Sequence, residues 1–344
     1  MNNFSRRQVV YAAGIGFAVF GGPAVAKARK IDESGFVQIG GIDQWVSVRG
    51  DDVRNPILLV VHGGPGEAQW PASPEYLPWE AAFTVVQWDQ RGAGHTFSRY
   101  GTETPDVTLD RIVRDGLEVA ENLRQRLGKK KLIVLGHSWG SIVAINMVER
   151  RPDLFAAYVG TGQAASWKAV VQAQFDFLLA RARQQGDAPT VKMLEDIGHP
   201  DPANLGQYFQ FARGLSAAMP APDREWIRRL RAMTPESLDV PPKDLHDLYA
   251  GEAFSAARVL PEMIKTDLPA TASKILTAFF VIQGRDDITA PTEAAVAYFQ
   301  AVSAPVKRLI LIDGAGHFAF LTHTKQFLAA LTSAVRPVAI SQGA

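Results

Sequence analysis

The chain has 344 residues, 47% of them apolar and 21% charged, as in an ordinary globular protein and unlike a disordered, collagenous or coiled-coil chain. Its 36 Lys and Arg against 35 Asp and Glu leave a formal charge of +1, which gives no electrostatic footprint for nucleic acid as a partner. With no cysteine, disulfides, thiolate metal sites, a cysteine nucleophile and a lipidated N-terminal cysteine are all excluded.

Residues 1–26 read as a targeting segment. Arg6 and Arg7 follow Ser5, an apolar run extends from Val9 to Phe20, and Gly21-Gly22-Pro23-Ala24-Val25-Ala26 closes with an Ala-x-Ala pattern. The Ser-Arg-Arg opening resembles a twin-arginine export signal, although Val9-Val10 stand where Phe-Leu is usual. A retained anchor is disfavoured, because the run is shorter than the roughly 20 apolar residues of a span and is interrupted by Gly14 and Gly16. The expectation is cleavage after Ala26 and export of a folded protein, to the periplasm, without stable membrane insertion.

From residue 27 to 161, short apolar runs alternate with amphipathic stretches. Phe36–Ile39 and Gln44–Val48 predict a hairpin around Gly40-Gly41. Ile57–Val61, Phe83–Trp88 and Leu132–Leu135 are continuous apolar runs, the pattern of strands buried on both faces. Leu109, Ile112, Val113, Leu117, Ala120, Leu123 and Leu127 recur at helical spacing, with Thr108 as N-cap and Gly128 as the stop. Ile142–Glu149 reads as a further helix. Residues 162–270 lose the alternation and predict an inserted helical cap, broken into short helices by Pro189, Pro200, Pro202, Pro220, Pro222, Pro235, Pro241 and Pro242. Residues 271–344 restore it, with strands at Phe279–Gln283 and Arg308–Ile312 and helices near 292–302 and 325–335. Strand–helix alternation on both sides of an insertion predicts a mostly parallel central sheet covered by helices on both faces.

The chemistry begins at Gly136-His137-Ser138-Trp139-Gly140, placed between an apolar strand and a helix. A serine on so tight a strand-to-helix turn needs flanking residues without Cβ, and the turn lifts its hydroxyl above the sheet. A serine nucleophile needs a base and an orienting acid, which in this arrangement follow it at the ends of later strands. Arg285-Asp286-Asp287 follows one such strand and Asp313-Gly314-Ala315-Gly316-His317 the next. His317 is the candidate base; Asp287 is the candidate acid, with Asp286 and Asp313 as rivals. His62, His95, His137, His199, His246 and His323 lack the Gly-x-Gly lead-in of His317 and are read as packing or surface residues. Oxyanion donors are expected from the backbone N–H of Trp139 and of Gly64, with Gly63 as the alternative.

His62-Gly63-Gly64-Pro65-Gly66, Trp88-Asp89-Gln90-Arg91-Gly92-Ala93-Gly94 and the serine segment together resemble the proline iminopeptidase group of α/β-hydrolases. The resemblance covers roughly 36–160 and 270–335. It implies an α/β-hydrolase fold, a Ser138-Asp287-His317 triad with Asp287 favoured by its place after Gly284-Arg285, an architectural role for the Asp89 loop, and removal of N-terminal residues from small peptides. Such enzymes hold the substrate ammonium with cap glutamates. The nearest equivalent here is Glu252, in Tyr249-Ala250-Gly251-Glu252-Ala253-Phe254, with Glu225 and Glu262 as further candidates. The family usually has glycine at the position of His137. The alternative substrate is a small uncharged ester, lactone or amide. Serine at the elbow excludes the epoxide hydrolase and dehalogenase chemistries, which use aspartate there, and a complete triad argues against a mere binding protein. No metal or organic cofactor is indicated.

Overall fold

A computed structural model describes residues 28–344, so the expected targeting segment and its cleavage point lie outside the described residues. β1 (Ile31–Ile39) and β2 (Ile42–Gly50) form a hairpin closed by Gly40 and Gly41, whose φ values of 57° and 79° supply the twist that a two-residue turn requires. β3 (Ile57–Val61), β4 (Thr84–Trp88), β5 (Leu132–His137), β6 (Phe155–Thr161), β7 (Ala278–Gly284) and β8 (Lys307–Ile312) complete an eight-stranded sheet of order β1-β2-β4-β3-β5-β6-β7-β8. β2 pairs antiparallel with both neighbours, and every other pairing is parallel.

The continuous apolar runs divide by period two between the faces of the sheet. Leu59, Val61, Val134, Phe279 and Val281 join one core layer, and Leu58, Val60, Ile133, Leu135, Phe280 and Ile282 the other. Helices cover both. Those that matter for the site's frame are α1 (Gly94–Tyr100), α2 (Leu109–Arg126) and α3 (Trp139–Arg150). Thr108 caps α2, its hydroxyl accepting from the Arg111 N–H at 3.2 Å.

Between β6 and β7 the chain is helical: α4 (Trp167–Gln185), α5 (Ala188–Ile197), α6 (Leu205–Ala218), α7 (Ala221–Arg231) and α8 (Pro242–Met263). These helices are not uniformly short, contrary to the expectation from the prolines, since α4 has 19 residues and α8 has 22. Pro189, Pro222 and Pro242 occupy first turns, where a missing N–H costs nothing, so they start helices rather than break them. Trp167, Phe175, Leu178 and Phe211 give this layer a small core of its own, while Phe254 and Trp226 pack into the two sheet layers. At the C-terminal end, the expected helix near 325–335 is interrupted: Thr324–Ala330 passes through a π-helical turn, Leu331–Val335, into Arg336–Ser341.

Candidate active site

β3 lies between β4 and β5, so the chain leaves it in one direction across the sheet and returns on its other side. Ligands bind at the carboxyl ends of strands beside such a reversal. The loop after β3 carries Gly63 and Gly64, and the turn after β5 carries Ser138. Ser138 has φ 52° and ψ −121°, a backbone state that costs a non-glycine residue about 1–3 kcal/mol. Its neighbours pack too closely for side chains: a Cβ on Gly136 would lie 2.5 Å from the Gly140 carbonyl oxygen, and one on Gly140 would lie 2.0 Å from that of Val61. Trp139 opens α3, so its N–H is among the first-turn donors without an intrahelical acceptor. Ser138, Gly64 and Trp139 line one cavity of about 180 Å³, walled by Ile142, Trp167, Val170, Tyr208 and Met263, with no charged side chain among its lining.

Asp287 is buried in the turn after β7, and its carboxylate is saturated. Oδ1 accepts from the Thr289 and Ala290 N–H groups, both at 2.9 Å, and Oδ2 from Gln283 Nε2 at 2.9 Å. His317 Nδ1 donates to Oδ2 at 3.0 Å and approaches Oδ1 at 3.2 Å. This fixes the Nδ1–H tautomer and leaves Nε2 as the nitrogen able to accept a proton. Burial alone would lower the proton affinity of His317; the charge and hydrogen bond of Asp287, with Asp223 and Glu67 behind them, outweigh it and raise it above the ordinary imidazole range. Asp286 and Asp313 are exposed, and Asp313 pairs with Arg285 instead. The structure therefore brings Asp287 to His317 and leaves both rivals at the surface. Ser138 Oγ makes no hydrogen bond among the described residues.

The other histidines have separate duties. Gln90 N–H donates to His62 Nε2 at 3.1 Å, so His62 carries its proton on Nδ1 and donates to the Gly63 carbonyl at 2.9 Å. Burial lowers its pKa, as it does more strongly for His137, whose Nε2–H donates to the His317 carbonyl at 3.2 Å. Both are neutral side chains that hold loops. His95 Nδ1 lies 2.9 Å from Asp89 Oδ2, and Asp89 also accepts from the His95 N–H at the start of α1, away from His317. Arg91 is buried against Asp115 at 2.8 Å.

Of the candidate ammonium partners, Glu225 is exposed and paired with Arg228, and Glu262 accepts from the Leu109 N–H at 3.3 Å, capping α2. Glu252 sits on α8 over the loop after β3: a Cβ on Gly66 would lie 2.9 Å from the Glu252 Cα. It shares a narrow cleft with Glu67, Tyr249 and Trp226. Desolvation and then the charge of Glu252 push the Glu67 carboxyl up to about 7, with His317 opposing. Glu252 is itself exposed at its outer side, and desolvation along the cleft raises its carboxyl, with Arg231 opposing.

Three participants are not singled out by the sequence reading. Gln90 donates its Nε2–H to the His62 carbonyl at 3.0 Å and accepts from the Trp139 indole at 3.1 Å, tying the loop after β3 to the start of α3. Its signal is present inside Asp89-Gln90-Arg91-Gly92. Glu67 directly follows the glycine-rich segment and is equally findable. Asp223, which accepts from the His317 N–H, lies among the charged residues of α7 and has no signal.

The family described as alpha/beta hydrolase fold matches residues 56–324 of the chain. A probable aminopeptidase of Bacillus subtilis (strain 168) is 28% identical over 286 residues, covering 82% of this chain and 89% of the relative. A proline iminopeptidase of Lactobacillus helveticus is 22% identical over 299 residues, covering 85% and 93%. The solved structure of a proline iminopeptidase-related protein from Thermus thermophilus superimposes with a TM-score of 0.63 at 20% identity, covering 90% of this chain and 99% of that one, a likeness of fold.

Proposed function

The chain belongs to the α/β-hydrolase fold family, and from that premise we propose that it is a serine aminopeptidase of proline iminopeptidase type, acting on small peptides. The hydrogen bond from His317 to the saturated Asp287 carboxylate, at the rim that also carries the strained Ser138, is the observation that carries this reading. Ser138 Oγ attacks the scissile carbonyl carbon while His317 Nε2 takes its proton. Asp287 holds the ring and stabilises the imidazolium, and the N–H groups of Trp139 and Gly64 receive the developing oxyanion. The imidazolium then protonates the departing amine, and water repeats the sequence on the acyl-enzyme. Glu252 and Glu67 are the carboxyl partners for the substrate's free ammonium, whose charge favours the ionised form of Glu67. A cation between two carboxylates relieves their mutual repulsion, which is the physical reason to assign both. The helices between β6 and β7 act as the cap that sets substrate choice. No step uses a metal or cofactor.

One observation favours a second reading, hydrolysis of a small uncharged ester, lactone or amide: the cavity at Ser138 has only neutral walls. A panel of prolyl and alanyl arylamides against short acyl esters separates the two. Ser138→Ala is expected to lower kcat by on the order of 10⁴-fold or more on any true substrate while leaving the fold intact. Glu252→Gln is expected to abolish arylamide cleavage and spare ester cleavage. Wild-type turnover of esters alone would favour the second reading, and unchanged turnover by Ser138→Ala would remove both.

We further propose export, which rests on Arg6 and Arg7 ahead of an apolar, glycine-interrupted run. Among the described residues, no helix is long and apolar enough to cross a membrane.

A further inference from the structure

Both main-chain polar groups of His317 are held by side chains. Its carbonyl accepts from His137, at the end of β5, and its N–H donates to Asp223 Oδ2 at 2.6 Å. Asp223 belongs to α7, in the inserted helical layer, more than 90 residues away in the chain. It is completely buried, and its second oxygen, Oδ1, is buried without a hydrogen-bond partner among the described residues. The fit is close: a Cβ on Gly316 would lie 2.2 Å from Asp223 Oδ2, so a side chain at 316 would expel the carboxylate. Asp223 stands in the first turn of α7, where the aligned peptide dipoles favour an anion.

We propose that Asp223 is a positioning residue for His317, a second carboxylate that fixes the loop from its main-chain side and sets negative charge beside the imidazole. The proposal rests on the reading of His317 as the base. Asp287 acts on Nδ1; Asp223 acts through the backbone and through space, and it makes competence of the base depend on the seating of α7. The titratable groups that face His317 are Asp287 from the turn after β7, Asp223 from α7, Glu67 from the loop after β3, and the neutral His137 from β5. Burial raises the Asp223 carboxyl and the charge of His317 opposes that rise, so the two groups favour each other's ionised form.

The sign of the effect follows. Removing the charge at 223 makes His317 release its proton at lower pH. Asp223→Asn keeps a carbonyl oxygen to accept from the His317 N–H, removes the charge, and puts an amide NH2 in place of the buried Oδ1. Two measurements on the full chain read the outcome: ring titration of His317 by NMR on ¹⁵N-histidine-labelled protein, assigned with His317→Gln, and the pH profile of Ser138 labelling by a fluorophosphonate probe. The titration midpoint and the acid limb of labelling are expected to fall together, by roughly half a pH unit or more, with the alkaline plateau retained. Asp223→Ala, which also frees the N–H, is expected to lower the plateau about tenfold or more. Folded Asp223→Asn with both midpoints unchanged overturns the proposal. Should that variant not fold, the wild-type His317 amide proton decides: a far-downfield resonance that moves with the ring titration supports the carboxylate contact, and an ordinary shift overturns it. Absence of fluorophosphonate labelling in the wild type would count against the serine hydrolase reading, whereas the NMR titration tests Asp223 independently of it.

Discussion

At the scale of single residues, the site is a set of carboxylates in different surroundings. Asp287 is buried with every lone pair engaged, whereas Asp286, one position earlier, faces solvent. Asp287→Asn is therefore expected to lower kcat by on the order of 10⁴-fold, because an amide does not stabilise the imidazolium, while Asp286→Asn stays near wild type. Steady-state kinetics on both variants checks the contrast. Glu67 is the reverse case, a carboxyl whose ionisation the fold opposes. Between its ordinary range and about 7, the unfolded chain ionises this group and the folded chain keeps it protonated. Folding then takes up a proton, and stability falls as pH rises through that window. Glu67→Gln is expected to raise Tm at pH 8 and to leave it little changed at pH 4, as thermal unfolding at the two pH values would reveal. An equal shift at both would mean that Glu67 acts through packing rather than charge.

At the scale of elements, the strand-turn-helix around Ser138 depends on two close approaches of backbone to backbone. The Gly140 contact with the Val61 carbonyl joins the turn to β3, the strand whose following loop carries Gly64, the proposed second oxyanion donor. Gly140→Ala forces a Cβ against a carbonyl that β-sheet pairing holds in place. It is expected to cost about 1–3 kcal/mol or more in chemical denaturation and to slow probe labelling of Ser138. The glycine pattern is legible as a motif; the steric demand on Gly136 is local to the turn, against the Gly140 carbonyl, whereas that on Gly140 comes from β3. β6 is not legible as an element: Phe-Ala-Ala-Tyr-Val-Gly-Thr is weakly patterned, and its strand identity comes from pairing between β5 and β7. The lengths of α4 and α8 are equally hidden, since proline in a first turn and proline in a helix interior look alike in composition.

At the scale of the whole molecule, the inserted helices and the sheet meet at the candidate site through specific polar contacts. Asp223 reaches the His317 loop, and the Ser255 hydroxyl of α8 donates to the Gly92 carbonyl at 2.8 Å. These contacts join residues far apart in the chain, so the geometry of the site depends on how one layer sits on the other. The proposed export belongs to the same scale, because a twin-arginine route would carry the chain as a folded unit. Replacing Arg6 and Arg7 together with Lys is expected to block export, visible as loss of the protein from the periplasmic fraction. Mass spectrometry of the exported protein is expected to find an N-terminus at Lys27; exported protein retaining Phe4 to Phe20 would refute processing.

What could be read from the sequence alone shares one physical property: its cause is local. The apolar strand runs, the Thr108 cap, the Gly40-Gly41 turn and Gly136 before Ser138 are dictated by backbone sterics and by burial over a few residues. The order of Ser138, the two acidic loops and His317 followed from the alternation of strand and helix. In the sequence, only the family resemblance favours Asp287 over Asp286 and Asp313; its physical reason lies in the turn after β7, because adjacent carboxylates differ only in the direction they face. The facing of Glu67 and Glu252, the bridging role of Gln90 and the hold of Asp223 on His317 were decided by tertiary structure alone. Each joins segments that chain connectivity leaves independent, and burial and charge at such a junction exist only once the layers have packed.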